Sequence, residues 1–573
     1  MDFIRGARYR WHLAEADKAL ALNVASRCNL SMPIASAIVG RGLTDEKLAS
    51  RFLFSSFERD VAHASLLKDA EKSVDRINKA IKDQEKILIF GDYDVDGMTS
   101  TSIALLSLIP LGAKINFALP NRVKDGYGIS RKMVERAAKS NYKLIVTVDN
   151  GTSAFDAADA ANEKEIDLII TDHHQTQDKI PPVFALVNPH QKGCLFPHKV
   201  LCGAGVIFKV MELLYEQRGL TLPRKVTELM MMGTIADVVP LLDENRYWVR
   251  QGLAQVNEGM SFSFSCLAEN GKVKKERIGS QDIGFSIAPQ LNALGRLDDP
   301  RDGVYFLASS DQRKVQNIAY QLKEINEKRK KVEATVFEQV DSNIKSGKID
   351  IKTEHVIVDS ATNWPPGVIG LVAGRLMNRY GRPAFLFHLT PTGMAKGSCR
   401  SIPEFNVFKA LQKHDDLLTT FGGHACAAGL SLPMEHLAEL KKRLTAQVAE
   451  QIPIEDLQPR LVADATMDLS EANKQIIHDL EMLEPFGNSN PLPLFLIKNV
   501  VLVRAPQLLK EKHLKCMIFS NGIVKPIIFF NRPELAQALE KHGDAPFNIA
   551  AHVIKNEWND RISVELHGVD IAF

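Results

Sequence analysis

The sequence predicts an α/β protein: a doubly wound parallel-sheet domain, a second α/β domain joined to it by a long helix, and a small C-terminal β-barrel. Three observations predict it. Between residues 86 and 190 short apolar runs alternate with helical stretches, the pattern of a parallel sheet with crossover helices. Residues 311–345 are charged and free of Gly and Pro, so they read as one long helix. From residue 496 onward short strand-like runs are separated by turn residues, which fits a barrel with the OB-fold as its natural candidate.

Along the chain, strands are expected at 87–90, 115–119, 144–148, 168–171 and 185–187. Helices are expected at 99–108, 131–139, 154–165, 206–216 and 224–233. The first strand, Lys86-Ile87-Leu88-Ile89-Phe90, is apolar and β-branched and has no helical period, as a strand buried on both faces should be. The run Lys328-Arg329-Lys330-Lys331 on the long helix reads as a solvated face. A second α/β unit starts near His355-Val356-Ile357-Val358 and runs to about residue 450. Barrel strands are expected at 502–504, 516–519, 526–530, 549–554 and 562–566.

A chain of 573 residues holds about three or four domains of ordinary size. Its 45% hydrophobic and 24% charged residues describe a globular protein with sizeable cores. A net charge of +2 and a pI near 8.0 do not announce nucleic-acid binding, so any such partner must meet local basic surfaces. Seven cysteines without a CxxC pair favour reduced thiols in a cytosol-like compartment. The N-terminus MDFIRGARYRWHL lacks the apolar core of a signal peptide, and no apolar run is long enough to span a bilayer. The expected location is cytoplasmic.

Chemistry concentrates where strands end. Asp92-Tyr93-Asp94-Val95-Asp96-Gly97 begins like a calcium-binding EF-hand loop, but the twelfth position, which should be Glu, is Ile103. A P-loop fails too, because no Gly-Lys-Ser/Thr follows the strand. Open α/β sheets carry their functional groups at the carboxyl ends of strands. Here the first strand ends in three aspartates, 144–148 ends in Asp149-Asn150-Gly151, and 168–171 ends in Asp172-His173-His174. The helical segment before Asp237 adds another acid. Any one of these alone is a helix cap or turn residue. Together, so many carboxylates at one edge raise each other's pKa values unless cations compensate them. Carboxylates with imidazole and no thiolate suit Mn2+ or Mg2+. Two such ions about 3.5–4 Å apart form a clamp for hydrolysing a phosphate ester.

The ordered motifs GDYDVDG (91–97), VDNG (148–151), TDHH (171–174), ADVVPL (236–241), NALGR (292–296), GSCRSI (397–402), FGGHACAAG (421–429) and EPFGNSNPLP (484–493) resemble the DHH phosphoesterase superfamily. Within it they are most similar to the bacterial RecJ family of 5′→3′ exonucleases specific for single-stranded DNA. The resemblance implies an N-terminal region at 1–50, a DHH catalytic domain at 51–265, a connecting region with the long helix at 266–345, a DHHA1 domain at 346–452 and an OB-fold-like nucleic-acid-binding domain at 453–573. It implies metal ligation by Asp94, Asp96, Asp149, His173 and Asp237, with Asp92 added and Asp149 bridging two Mn2+ or Mg2+ ions. His174 would face the scissile phosphate as a hydrogen-bond donor, so His174, Asp149 and Asp96 form the catalytic set. Asn292, Arg296, Ser398, Arg400 and His424 would hold substrate phosphates. Lys510, Lys512, His513 and Lys515, with Trp558 and Arg561, are barrel candidates for gripping the strand. Trp364-Pro365-Pro366-Gly367 departs from a family pattern with histidine after the tryptophan, so no contact by such a histidine carries over. Implied partners are single-stranded DNA, single-strand-binding protein and a RecQ-type helicase, without a membrane, in recombination and repair. Two other classes stand beside this one: a catalytically silent DNA-binding scaffold, which predicts eroded ligands, and a phosphoesterase for short oligonucleotides or cyclic dinucleotides, whose relatives lack the barrel.

Overall fold

The structure, a computed structural model, describes residues 3–121, 126, 128–273, 277–558 and 561–573, with the backbone alone at 557, 558, 561 and 562. Trp558 and Arg561 therefore contribute no described side chain. The chain divides into two compact units. One comprises Ser50–Lys328 with Leu483–Pro491; the other comprises Met1–Ala49, Arg329–Met482 and Leu492–Phe573.

The first unit is built on β1 (Lys86–Phe90), β2 (Lys114–Ala118), β3 (Tyr142–Val148), β4 (Asp167–Thr171) and β5 (Ala185–Val187). They form one sheet in the order β2-β1-β3-β4-β5, and every pairing is parallel. Alternate residues enter opposite cores. Ile87, Ile89, Val146 and Ile169 pack on one face, and Leu88, Phe90, Ile145 and Ile170 on the other. Both faces of the inner strands are dry, which is why those strands read as apolar runs; the edge strand β2 is partly exposed. Helices α1 (Val95–Leu108), α2 (Gly203–Gln217) and α3 (Arg224–Ala236) cover the sheet. The first helix starts four residues earlier than expected: Asp94, not a later Ser or Thr, is its N-cap and accepts from Gly97 N at 3.0 Å. A five-residue π-helical stretch, Ile283–Ile287, leads into α4 (Ala288–Leu297). The expected long helix is α5 (Gln312–Lys345).

In the second unit, β6 (Ile357–Ala361), β7 (Ala384–Leu389), β8 (Met394–Arg400), β9 (Thr420–His424) and β10 (Ala427–Pro433) form a sheet ordered β9-β10-β8-β7-β6. Only β6 and β7 run parallel; the other three pairings are antiparallel. Pro365 caps the helix Pro366–Tyr380 with φ −65° and ψ 129°, values proline adopts freely, and Pro366 fills the first helical position, where it loses no hydrogen bond. The local geometry around Trp364 is thus regular, with its Nε1 donating to Gln339 at 2.7 Å. The N-terminal hairpin Ile4–Arg5 and Arg10–Leu13 is joined by Arg460–Ala463, which lies parallel to the second strand.

The C-terminal strands are β11 (Phe495–Leu502), β12 (His513–Ser520), β13 (Ile523–Phe529), β14 (Phe547–Trp558) and β15 (Arg561–Ala572). They pair as β11-β12-β13-β15-β14, and β14 returns to β11. That closed Greek-key order, with a helix at Leu535–His542 before the fourth strand, is the OB-fold. The expected strand at 502–504 is a correction: β11 ends at Leu502, having begun at Phe495. Lys498 and Asn499 interrupt its apolar run, and the pairing with β14 shifts register between Ile497 and Val500, so the sequence hides the strand.

Candidate metal centre

At the carboxyl edge of the parallel sheet the chain turns sharply after each central strand. After β1, Asp92 is 3% exposed, and Asp96 in the first turn of α1 is 2% exposed. After β3, Asp149 adopts a left-handed backbone with φ +63°. After β4 come Asp172, His173 and His174. Asp237 is the C-cap of α3.

These side chains meet. His173 Nε2 lies 3.2 Å from Asp149 Oδ1, 3.7 Å from Asp237 Oδ2 and 3.9 Å from Asp96 Oδ2. Three overlapping groups each bring donor atoms within 4.8 Å of one another: Asp96 with His173 and Asp237; Asp92 with Asp94 and Asp149; and Asp149 with Asp172, His173 and His174. Asp149 belongs to two of them. Two tight approaches hold this geometry. A Cβ on Gly203 would sit 2.4 Å from Asp149 Cβ, and one on Gly233 would sit 2.8 Å from Asp96 Oδ1. The N-terminus of α2 also donates Gly203 N and Ala204 N to Asp96 at 2.6 and 2.8 Å, an anchoring that suits a carboxylate.

Asp172 does a different job from its neighbours. Its Oδ1 accepts from His173 N and His174 N at 2.8 and 3.2 Å, and from the His174 ring at 2.7 Å; its Oδ2 accepts from Thr152 N at 2.9 Å. Both oxygens are committed, so it pins the main chain at His173 and His174 and orients the His174 ring. The sequence assigns Asp172 no such role, because its partners are mostly main-chain groups that a sequence does not reveal.

The electrostatics describe a site short of positive charge. Burial, with the charge of Asp94, pushes Asp96 up to about 7. Burial, with Asp96 and Asp94, pushes Asp237 up to about 9. Burial and four neighbouring aspartates raise Asp149 well above the usual carboxylate range. Burial and the adjacent His174 lower His173 to about 4, leaving a neutral ring fit to ligate. For His174 burial acts downward, but the hydrogen bond to Asp172 prevails and lifts it to about 9. Cys202 beside the cluster is buried and its thiol is pushed up by that burial, so no thiolate joins the donors. Oxygen atoms with one imidazole fit a hard divalent cation such as Mn2+ or Mg2+.

Asp92, Tyr93, Asp94, Asp149, His174, Asp237, Asn292 and Arg296 line a cavity of about 300 Å3. Asn292 spends its Oδ1 on Val95 N at 3.1 Å, which docks α4 against the aspartate loop. Gly295 closes that contact, since a Cβ there would lie 2.3 Å from Tyr93 O.

Ser398, Arg400 and His424 sit in the other unit. Arg400 pairs with Ala427, which pairs with His424, and Ser398 pairs with Gly429, which pairs with Gly422. Paired residues point to the same face, so the three expected phosphate-holding side chains share one side of the sheet, separated by alanine and glycines. Arg400 Nη1 donates to Cys399 O at 2.8 Å. On the barrel, Lys510 and Lys512 are exposed and His513 and Lys515 half-buried. The sequence reading missed Phe530, 46% exposed, whose ring lies 5.2 Å from His513 and 4.8 Å from His567. Isolated at a strand end, it carries no motif. None of the seven cysteines forms a disulfide, and among the described residues no helix is long and apolar enough to cross a membrane.

Comparison with known proteins places these features in context. Residues 86–234 match the DHH family, N-terminal domain; residues 353–450 match the DHHA1 domain; and residues 463–570 match the RecJ OB domain. The chain is similar to the single-stranded-DNA-specific exonuclease RecJ of Bacillus subtilis, 33% identical over 99% of this chain and 71% of the relative. It is 33% identical to the Escherichia coli RecJ over 80% of this chain and 82% of that one. The crystal structure of Thermus thermophilus RecJ in complex with Mn2+ superposes with a TM-score of 0.84 at 27% identity, covering 99% of this chain and 80% of that one. The same protein in complex with Mg2+ matches with a TM-score of 0.77 at 25% identity, over 99% and 79% of the two chains.

Proposed function

The chain belongs to the RecJ family of single-stranded-DNA-specific exonucleases, and from that premise we propose that it is a metal-dependent 5′→3′ exonuclease that hydrolyses single-stranded DNA to mononucleotides. The observation that carries this reading is the meeting of buried aspartates and His173 at one sheet edge, with Asp149 and Asp237 of that cluster also lining the cavity.

Asp92, Asp94, Asp96, Asp149, His173 and Asp237 would hold two Mn2+ or Mg2+ ions, with Asp149 shared between them. When bound, such ions supply Lewis acidity that activates water and offsets charge developing on the phosphate. The chain's own groups do the rest. His174, kept protonated by Asp172, donates a hydrogen bond to a non-bridging oxygen of the scissile phosphate. Arg296 offers its fork from the cavity wall, and the amide of Asn292 remains able to donate. Ser398, Arg400 and His424 hold phosphates of the strand near its 5′ end. Barrel residues Lys510, Lys512, His513 and Lys515, with Phe530, grip downstream nucleotides by charge and stacking. We assign functional domains to 51–265, 346–452 and 453–573, the last interrupted by Leu483–Pro491, which belongs to the compact unit of the aspartate cluster. A cytoplasmic enzyme of recombination and repair, working with single-strand-binding protein and a RecQ-type helicase, is the setting this reading implies.

The test is digestion of 5′-labelled and 3′-labelled single strands and duplexes with Mn2+, Mg2+ or chelator. The 5′ label should be released as mononucleotide at once, the 3′-labelled strand should shorten gradually, and duplex or chelator should stop the reaction. Cleavage confined to dinucleotides would favour the short-oligonucleotide phosphoesterase, and binding without cleavage the silent scaffold; either contradicts the proposal.

A further inference from the structure

The motif EPFGNSNPLP has found no role in the chemistry above. Its residues Leu483–Pro491 nevertheless belong to the same compact unit as the aspartate cluster, although they come more than two hundred residues after Asp237. Asn490 fixes the segment's shape: it is fully buried, and its Nδ2 donates to Leu483 O and Pro485 O, both at 2.8 Å. Gly487 N donates to Asn490 O at 2.8 Å, and Asn490 N returns to Gly487 O at 3.1 Å.

This rigid turn closes on the loop that follows Asp237. Leu241 N donates to Asn488 O at 3.0 Å, and Asn488 Nδ2 donates to Val238 O at 2.6 Å. A Cβ on Gly487 would lie 2.6 Å from Leu241 Cδ1, so the two segments are in full contact. Between these bonds the loop is strained. Val238 has φ +59° and is 63% exposed; a β-branched residue in the left-handed region persists only where its surroundings over-determine it. With so much of its side chain in solvent, packing alone does not hold Val238. Its N–H turns back to Ile235 O at 3.3 Å and its carbonyl accepts from Asn488; the residue just before it is Asp237, whose carboxylate lies 3.7 Å from His173.

We propose that Asn488 is a positioning residue for the metal centre. Its side-chain amide locks the left-handed turn at Val238 and so aims Asp237 at His173 and Asp96. The inference rests on reading the aspartate cluster as a metal site. Asn488 touches neither substrate nor ion; it acts as outer-shell partners of metal ligands do, whose loss costs about 10–100-fold in metal affinity or activity. The main-chain bond from Leu241 survives any substitution at 488, so a variant reads the side-chain bond alone.

The test compares full-length wild type with Asn488→Ala and Asn488→Asp, the latter keeping the size while replacing the donor. Mn2+ affinity is measured by calorimetry and by the Mn2+-induced rise in melting temperature; kcat and KM for single-stranded DNA are measured across Mn2+ concentrations. Both variants should bind Mn2+ about tenfold or more weakly. Their kcat should fall at limiting Mn2+ and recover at high Mn2+, with KM for DNA and the melting temperature in chelator unchanged. Mn2+ titrations superimposing on wild type would overturn the inference, as would a lowered melting temperature in chelator with Mn2+ affinity intact, which marks a purely structural clamp. Should Asn488→Ala fail to fold, Asn488→Asp decides by the same criteria. Absence of Mn2+ binding by wild type would instead contradict the proposed function itself.

Discussion

Asp149 shows how much of the chemistry hangs on single atoms. It is buried, left-handed in its backbone and shared between two donor groups. Asp149→Ala should abolish hydrolysis while leaving DNA binding largely intact, as digestion and fluorescence-anisotropy titration would show; wild-type turnover would refute the site. Gly203 is its silent counterpart. Gly203→Ala places a Cβ 2.4 Å from Asp149 Cβ, so α2 or Asp149 must shift. We expect a loss of about 1–3 kcal/mol in unfolding free energy, read by denaturant titration, together with weaker Mn2+ binding. An unchanged variant would mean the contact is looser than the geometry states. At this scale the acids and histidines were legible because strand tips concentrate function. Gly203, Asn488 and the orienting role of Asp172 were not, because each acts through main-chain approach or main-chain hydrogen bonds.

Elements were legible in proportion to how they are buried. Four strands of the parallel sheet, largely buried on both faces, stood out as apolar runs, whereas the edge strand Lys114–Ala118 is partly exposed. The second sheet is mainly antiparallel, a distinction that local sequence does not carry, since register and direction are fixed by partners far along the chain. The barrel strands face solvent on one side, and β11 crosses Lys498 and Asn499 at a register shift, so its true start was missed. Pro365, which stands where the family pattern has histidine, caps a regular helix. Because its φ and ψ suit many residues, Pro365→His should change unfolding free energy by no more than about 1 kcal/mol. A loss beyond about 2 kcal/mol in denaturant unfolding would show that the helix depends on the proline ring.

For the molecule as a whole, crowded acids link stability to pH and to cations. Folded Asp96 and Asp237 keep their protons up to about 7 and about 9, whereas in the unfolded chain they release them near about 4. Between those limits the folded state binds more protons, so stability must fall as pH rises. In chelator the melting temperature should therefore decline from about pH 5 to about pH 9, and saturating Mn2+ should flatten that decline by replacing the protons. A chelated protein equally stable across this range would contradict the reading. The near-neutral net charge of +2 gave no hint of any of this, because the charge that matters is local. The central claim is most directly tested by counting Mn2+ bound per chain at neutral pH, by calorimetry on chelator-stripped protein. Two ions in the wild type and fewer in Asp149→Ala is the predicted result; a wild type that binds none would contradict the account.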